Sequence, residues 1–230
     1  LEKAFGRSGS KHGQSKFPIA RIVFAFLLNG LICIHHEIAP YNSAETSIFS
    51  NILGKLKKGD LIIADRAYAG AKLYYSYMKL NVEFITRKHY CLNLSNLKKI
   101  FCFTENDYLA EVPISKVYTK KDNSLPEKII VRFLKATVKI RGQKKDIWLA
   151  TSLIDNKIYP AEEIKHLYKK RWKVEELIKE LKIMLGANIL RSKTQEGIYK
   201  EIFAKVIAFN MIHWLIIIAA KKCHKELNKI

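Results

Sequence analysis

The sequence predicts an α/β protein in which helices flank a mixed β-sheet, with an all-β insertion in its middle. Over residues 1–88, short apolar strands alternate with amphipathic helices, as happens when helices pack on a sheet. Over residues 89–152, consecutive strands are separated by lysine-rich or Asn/Ser/Pro turns. Residues 153–230 return to helices. We therefore expect the first and third segments to form one core that the second segment interrupts.

The elements of the first segment follow from hydrophobic spacing and turn residues. Asn29-Gly30 lies between two apolar stretches within residues 17–40, which is the strongest short-range signal for a β-hairpin. Apolar residues at helical spacing then predict a helix over Ser43–Lys57. The remaining elements expected in this segment are a strand at Leu61–Ala64, a helix at Gly70–Leu80 and a strand at Val82–Arg87.

The second and third segments are strands followed by helices. The strands are predicted at Tyr108–Ile114, Lys128–Ile140 and Asp146–Ser152. A helix is expected to start at Pro160, because proline suits a first helical turn and the two glutamates that follow suit the positive end of the helix dipole. The last long element, about Thr194–Leu227, is apolar nearly all round in its middle, which predicts that it is buried.

The charge of the chain indicates a polyanionic partner. Lysine and arginine number 41 against 21 acidic residues, a formal charge of +20 over 230 residues. Such a charge opposes compaction unless a polyanion binds it, and nucleic acid is the commonest such partner. The alternative is a basic surface that only keeps the protein soluble. The otherwise ordinary composition excludes a disordered chain, a collagen and a disulfide scaffold.

Neither a membrane nor a zinc site is expected. Two apolar runs, residues 22–34 and 206–220, are 13 and 15 residues long and each carries an asparagine, whereas a span needs about 20 apolar residues. The four cysteines lack C-x2-C spacing and are expected to be reduced. The chain opens Leu-Glu-Lys, with no signal peptide and no initiator methionine, so we expect a cytoplasmic protein and a fragment of a longer chain.

Asp65 is the first candidate for chemistry. It ends the predicted strand Leu61–Ala64, and a carboxylate at the carboxyl end of a buried strand lies at the rim of the sheet, where α/β folds place their ligands. There it could hold a divalent metal ion. The alternatives are a strand-end ion pair with Arg66 or a helix cap.

A second candidate is a charged stripe on one predicted helix. Relative to Tyr168, the residues Arg171, Glu175 and Lys182 stand at offsets of 3, 7 and 14. At about 100° per residue, all four fall within an arc of about 60°. This stripe borders the buried face, where a carboxylate can reach a metal and cations can reach phosphates. The alternative is a solvated face with i,i+4 pairs such as Arg171 with Glu175.

The Tyr-x2-Arg-x3-Glu-x6-Lys spacing of this stripe resembles the Y-R-E-K signature of the insertion-sequence transposases of the "IS four" group. These are DDE-type enzymes with a ribonuclease-H-like core. The Asp-Arg-x-Tyr strand end at residues 65–68 and the strand ending in Arg87 are similar to further motifs of that family. A β-rich insertion between the second aspartate and the glutamate is also a trait of the family. The resemblance covers about residues 1–215.

The resemblance implies cut-and-paste DNA transposition by phosphodiester cleavage and strand transfer. It implies that Asp65 and Glu175 are the second and third of three carboxylates that hold two divalent metal ions, Mg2+ or Mn2+. The partners implied are double-stranded DNA, as transposon ends and target, and a second copy of the chain in a homodimer. Binding to DNA would place the protein at the nucleoid. The residues implied to bind DNA are Arg66, Trp148, Tyr168, Arg171 and Lys182. For Trp148 the implied role is stacking on a flipped base, and the alternative is a core tryptophan.

One family motif is missing. The first catalytic aspartate of the family lies upstream of the hairpin and is usually followed by Gly or Ser and Thr, but the one acidic residue before Glu37 is Glu2. We therefore expect this chain to lack the first aspartate and to be inactive alone. A competing hypothesis is a non-catalytic DNA-binding remnant of a transposase. An RNA-binding protein or ribonuclease is disfavoured, because no aromatic strand motif for RNA is present.

Overall fold

The computed structural model describes residues 1–10, 13–140, 142–184, 186 and 189–223. In this part of the chain, helices flank a six-stranded mixed sheet, which confirms the α/β, ribonuclease-H-like fold class. The chain divides into two compact units. The first unit comprises residues 1–54 and the described residues from 172 onward, and the second comprises residues 55–171. The boundaries of the three predicted segments, 1–88, 89–152 and 153–230, differ from those of these two units. The division into a core and an insertion therefore stays a prediction.

The first unit begins with an antiparallel hairpin. Its elements up to residue 54 are α1 (Glu2–Phe5), β1 (Gly9–Ser10), β2 (Gly13–Gln14), β3 (Ala20–Leu27), β4 (Ile32–Pro40) and α2 (Glu45–Leu53). β3 pairs with β4 across the turn that contains Asn29-Gly30, so the predicted hairpin is confirmed. Directly after this turn, Leu31 has a positive φ of 52°, and its side chain is buried in the core of this unit. Burial of an apolar side chain offsets the cost of that left-handed backbone.

The second unit is one mixed sheet with helices. Its elements are β5 (Leu61–Ala64), α3 (Ala71–Lys79), β6 (Glu83–Arg87), β7 (Lys98–Thr104), β8 (Asp107–Pro113), α4 (Lys116–Thr119), β9 (Lys128–Ile140), β10 (Gln143–Thr151) and α5 (Ala161–Lys169). The strand order is β5-β6-β10-β9-β8-β7. β5 and β6 are parallel, whereas β10 pairs antiparallel with β6. The strands of the predicted insertion therefore extend the same sheet that carries β5.

Aromatic side chains attach α3 to this sheet. The ring of Tyr74 stacks on that of Phe84 with centroids 4.4 Å apart, and its hydroxyl is 2.9 Å from Oγ1 of Thr86. Burial raises the pKa of both Tyr74 and Tyr77 well above the usual range of tyrosine. On α5, Ile164 and Tyr168 pack in one buried cluster with sheet residues that include Ile85.

A buried arginine joins the sheet to the segment that leads to α5. Arg132 on β9 forms a two-pronged ion pair with Asp107 on β8, with Nε–Oδ1 and Nη2–Oδ2 distances of 2.8 and 2.6 Å. The side chain of Arg132 is 0% exposed. Its remaining donors bind three acceptors beyond the sheet, which are the carbonyls of Leu153 and Tyr159 and Oδ1 of Asn156. Because every N–H of the guanidinium has a partner, the cost of burying its charge is offset.

The first unit continues with α6 (Trp172–Met184) and α7 (Gln195–Lys222). The start of α6 corrects the predicted stripe: Tyr168 lies on α5, Arg171 lies between the helices, and Glu175 and Lys182 lie on α6. The N–H groups of Lys170 and Arg171 bond to carbonyls three residues back, which tightens and ends α5. No glycine or proline marks this break, so periodicity alone could not reveal it.

α7 is buried on one side only, which corrects the prediction of an all-round buried helix. Its inward residues, among them Ile202 and Phe209, belong to the core of the first unit. Opposite them, large apolar side chains are exposed, which are Phe203, Ile207, Met211, Trp214 and Leu215. By length and composition this helix would suffice to span a membrane. The sequence-based expectation rests only on the 15-residue run 206–220, which is shorter than a span.

Polar side chains of α7 form contacts within the first unit. The Asn210 amide accepts from the backbone N–H of Cys33 and donates to the Cys33 carbonyl, both at 2.8 Å. Burial around Cys33 raises the pKa of its thiol to about 12. His213 Nε2 is 3.2 Å from Oε2 of Glu180 on α6. These contacts are typical of a helix packed against protein.

Breaking the buried ion pair should strongly destabilise the second unit. We expect Arg132→Met to lower the free energy of unfolding by about 3–5 kcal/mol, because Asp107 is left buried without its partner. The double variant Arg132→Met/Asp107→Leu should recover most of this loss. Urea denaturation followed by circular dichroism measures both.

The matched control is the exposed pair of Lys135 with Asp146 on the same sheet. Lys135→Met should change stability by less than about 1 kcal/mol. Equal losses for Arg132→Met and Lys135→Met would contradict the structural role given to Arg132.

Candidate functional site

Asp65 lies at the carboxyl edge of the parallel pair of strands. The register of β5 with β6 ends at Ala64 opposite Thr86, so Asp65 and Arg87 are the next residues on the two strands. Parallel strands end at the same edge, and ligands of open α/β sheets bind there. Asp65 therefore occupies the position that the sequence predicts for it, with an arginine at the end of the neighbouring strand.

The Asp65 carboxylate has both a structural bond and an open side. Its Oδ1 accepts a hydrogen bond from the backbone N–H of Arg66 at 2.7 Å and caps the one-turn 3-10 helix Arg66–Tyr68. The helix cap that the sequence allowed as an alternative is therefore present, and it uses one oxygen of the Asp65 carboxylate. Among the described residues, no ion pair involves Asp65. With Arg66, Ala67, His89 and Tyr90 it lines an open depression of about 550 Å³.

Tyr168 connects the two motifs in space. It is 3% exposed, and burial raises its pKa to about 12. Two positive charges, Arg171 and Arg87, lower this pKa, and the negative charge of Asp65 raises it. The Arg171 guanidinium lies 5.9 Å from the centre of the Tyr168 ring. Asp65, Arg87 and Arg171 are therefore each within electrostatic reach of Tyr168, although they come from distant parts of the chain.

Glu175 and Lys182 belong to the first unit. Both lie on α6 and both are exposed. Seven residues are about two turns, so the two side chains project from the same side of that helix. The break before α6 separates them from Tyr168 and Arg171, so one continuous helical stripe does not exist.

Trp148 is half-buried on β10 rather than enclosed in the core. Its ring centroid lies 5.6 Å from that of Tyr108. The Trp148 ring also borders a second open depression of about 350 Å³. The other residues that line this depression are Lys88, Tyr90, Cys91, Leu92, Asn93 and Leu94. The same tyrosine, Tyr90, thus borders both the depression at Asp65 and the one at Trp148.

Sequence reasoning missed the loop that contributes Tyr90. Residues 88–92 follow the strand that ends in Arg87, and only that arginine was singled out. A histidine and a tyrosine two and three residues after a buried strand are a weak signal on their own. The signal becomes informative when that strand lies next to a candidate carboxylate.

The donor atoms of the candidate residues suit a hard divalent ion. Asp65 and Glu175 both offer carboxylate oxygens, the ligands that Mg2+ and Mn2+ prefer. Asp65 also borders an open depression, so solvent and a ligand can reach it. In the part of the chain that the structure describes, no group of three or more His, Cys, Asp or Glu side chains could hold a metal ion.

Comparison with known proteins identifies transposases as relatives of this chain. A family model described as "Transposase DDE domain" matches residues 2–211. The transposase InsG for insertion sequence element IS4 of Escherichia coli K12 is 23% identical over 223 residues, which cover 94% of this chain and 48% of that protein. A probable transposase for insertion sequence element IS5377 of Geobacillus stearothermophilus is 26% identical over 151 residues, covering 66% of this chain and 35% of that protein.

The buried Tyr168 hydroxyl should destabilise the fold at high pH. Because its pKa is about 12 in the folded protein and about 10 when exposed, stability is complete below pH 10 and is lost as the pH rises towards 12. Two pH units correspond to about 2.7 kcal/mol. Tyr168→Phe cannot ionise, so it should lose less stability over this range.

Urea unfolding of both proteins at about pH 8 and about pH 11.5 measures the difference. The comparison at the lower pH removes any effect of the lost hydroxyl on packing. The same pH dependence in both proteins would contradict the burial of Tyr168.

Proposed function

Since this chain belongs to the DDE-domain transposase family, we propose that it carries out metal-dependent cleavage and transfer of the DNA strands of an insertion sequence by a cut-and-paste route. The chain spans about half the length of InsG and about a third of the second relative. The activity of a whole transposase is therefore a proposal for it. So are its location at the nucleoid in the cytoplasm and the role of residues 89–152 as an insertion in the catalytic core.

The observation that carries the proposal is the grouping of Asp65, Arg87, Tyr168 and Arg171. Asp65 and Arg87 lie at the carboxyl ends of two parallel strands, and both act electrostatically, together with Arg171, on the buried Tyr168. A carboxylate there suits a metal ion, and the guanidiniums suit the phosphate of a DNA strand. If Tyr168 and Arg171 belonged only to a solvated, charged helix face, Tyr168 would have no reason to lie near Asp65 of the other motif.

In the proposed mechanism the carboxylates hold the metal and the cations hold the DNA. Asp65 and Glu175 would hold a pair of Mg2+ or Mn2+ ions together with a third carboxylate. Such ions would supply activation of the attacking oxygen for in-line cleavage and transfer of phosphodiesters. Arg66, Arg171 and Lys182 donate charge-assisted hydrogen bonds to backbone phosphates.

Two aromatic residues complete the proposed DNA contacts. The Tyr168 hydroxyl is protonated at physiological pH, as in any tyrosine, so it can donate a hydrogen bond to a phosphate oxygen. Trp148 has a half-buried ring beside an open depression, which is compatible with stacking on a base.

A third carboxylate and a second subunit belong to the same proposal. Residues 1–36 contain no aspartate, so we propose that the first ligand is encoded upstream of Leu1 and that the transposase acts as a homodimer on transposon ends and target DNA. The competing function is a non-catalytic DNA-binding remnant, favoured by that same missing aspartate. Reading the gene upstream of Leu1 for an in-frame Asp followed by Gly or Ser and Thr distinguishes the two.

DNA binding should depend steeply on salt. Each phosphate neutralised contributes a slope of about −0.9 to log K against log salt. Arg171→Ala and Lys182→Ala should each weaken binding to duplex DNA and reduce the slope by about one. Fluorescence anisotropy with a labelled duplex at several salt concentrations measures this.

Lys173→Ala is the control for the salt series. Lys173 lies on α6 about half a turn away from the side of Lys182, and it is paired with Glu176 at 2.9 Å. It should leave the slope unchanged. If all three variants keep the slope of the parent protein, Arg171 and Lys182 do not contact phosphate.

Cleavage should require the upstream sequence and both carboxylates. We expect the 230-residue chain to cleave DNA slower by orders of magnitude than an upstream-extended form, because two carboxylates leave the metal poorly held. In the extended form, Asp65→Asn and Glu175→Gln should abolish cleavage and Glu176→Gln should not. Gel assays with DNA carrying the element's ends, in Mg2+ and in Mn2+, provide the measurement.

Two results would overturn this mechanism. Rapid metal-dependent cleavage by the 230-residue chain would mean that another residue supplies the first ligand. Cleavage that survives Glu175→Gln would remove Glu175 from the site.

A further inference from the structure

The loop after β6 displays an aromatic pair that the proposed chemistry does not use. Tyr90 is 72% exposed, and its ring lies 4.5 Å from that of His89 with an interplanar angle of 31°. A large exposed ring on a surface of lysines and arginines offers a flat face for stacking beside cations that attract phosphates.

Hydrogen bonds hold this loop in one shape. The Lys88 ammonium donates hydrogen bonds to the carbonyls of His89 and Leu92 at 3.1 and 2.6 Å. These two bonds connect the start of the loop to its end. The N–H of Cys91 donates to Nδ1 of His89 at 3.3 Å, which orients the imidazole. The aromatic pair is therefore presented by an ordered loop, and little conformational entropy is lost when a ligand stacks on it.

The position of Tyr90 links it to both candidate DNA sites of the second unit. It borders the depression that contains Asp65 and Arg66, and also the one that contains Trp148. The loop is also anchored to β10, because the N–H of Lys88 donates to the Trp148 carbonyl at 2.8 Å.

We propose that His89 and Tyr90 form a stacking platform for an unpaired DNA base next to the strand that Asp65 faces. Bases inside a duplex present only their edges, so an exposed aromatic face stacks on a base that is unpaired, as at a frayed strand end, at a nick or where a base is flipped out. The neighbouring Arg66 attracts the backbone of the same strand. The platform deepens the proposed function and rests on it for the identity of the ligand.

Single-strand and duplex binding by Tyr90 variants test the platform. The probes are a single-stranded oligonucleotide with 2-aminopurine at its 3′ end and a blunt duplex of the same length, each titrated with the 230-residue protein. Tyr90→Ala should weaken single-strand binding about 10-fold and abolish quenching of the 2-aminopurine, and should change duplex binding less than about 2-fold. Tyr90→Phe keeps the ring and should behave as the parent protein.

Tyr118→Ala is the matched control, since it removes another exposed tyrosine of the second unit. It should leave both affinities unchanged. Equal weakening of single-strand and duplex binding by Tyr90→Ala, or no weakening, would overturn the platform while leaving the proposed function in place. Failure of the parent protein to bind either DNA would overturn the proposed function and the platform together.

Discussion

The ion pair between Arg132 and Asp107 organises the second unit. One guanidinium joins adjacent strands and also binds acceptors on residues 153–159, the segment that leads from β10 to α5. A charge buried this completely is tolerated only with every donor satisfied, so the segment cannot move without breaking bonds that water does not replace. These hydrogen bonds end at Tyr159, one residue before the N-cap of α5, the helix that carries Tyr168.

The continuity of the sheet determines what surrounds Asp65. β10 pairs with β6 up to Leu149, which lies opposite Arg87. Trp148 therefore lies at the edge of the sheet where β5 ends, and the loop after β6 starts at the same edge. The all-β segment therefore belongs to the surroundings of the candidate site.

Elements with a strong local signal were predictable, and those decided by context were not. The Asn29-Gly30 hairpin, β5, α3, β9 and the start of α5 follow from turn residues and periodicity. β7 was missed because most of its side chains are exposed at the edge of the sheet, so no burial pattern marks it. The end of α5 was missed because three-residue hydrogen bonds replace four-residue ones without a helix-breaking residue.

The sequence by itself determined the chemistry of this protein: its positive charge, the carboxylate at the end of β5, and the spacing of tyrosine, arginine, glutamate and lysine that marks the transposase family. Residue type and spacing are local properties, so they can be read without a structure. Only the tertiary structure decided that Tyr168 lies buried within reach of Asp65 and Arg87, that α7 has one exposed apolar side, and that Tyr90 stands between two depressions. These features arise from strand order and packing between residues far apart in the chain, which no local pattern encodes.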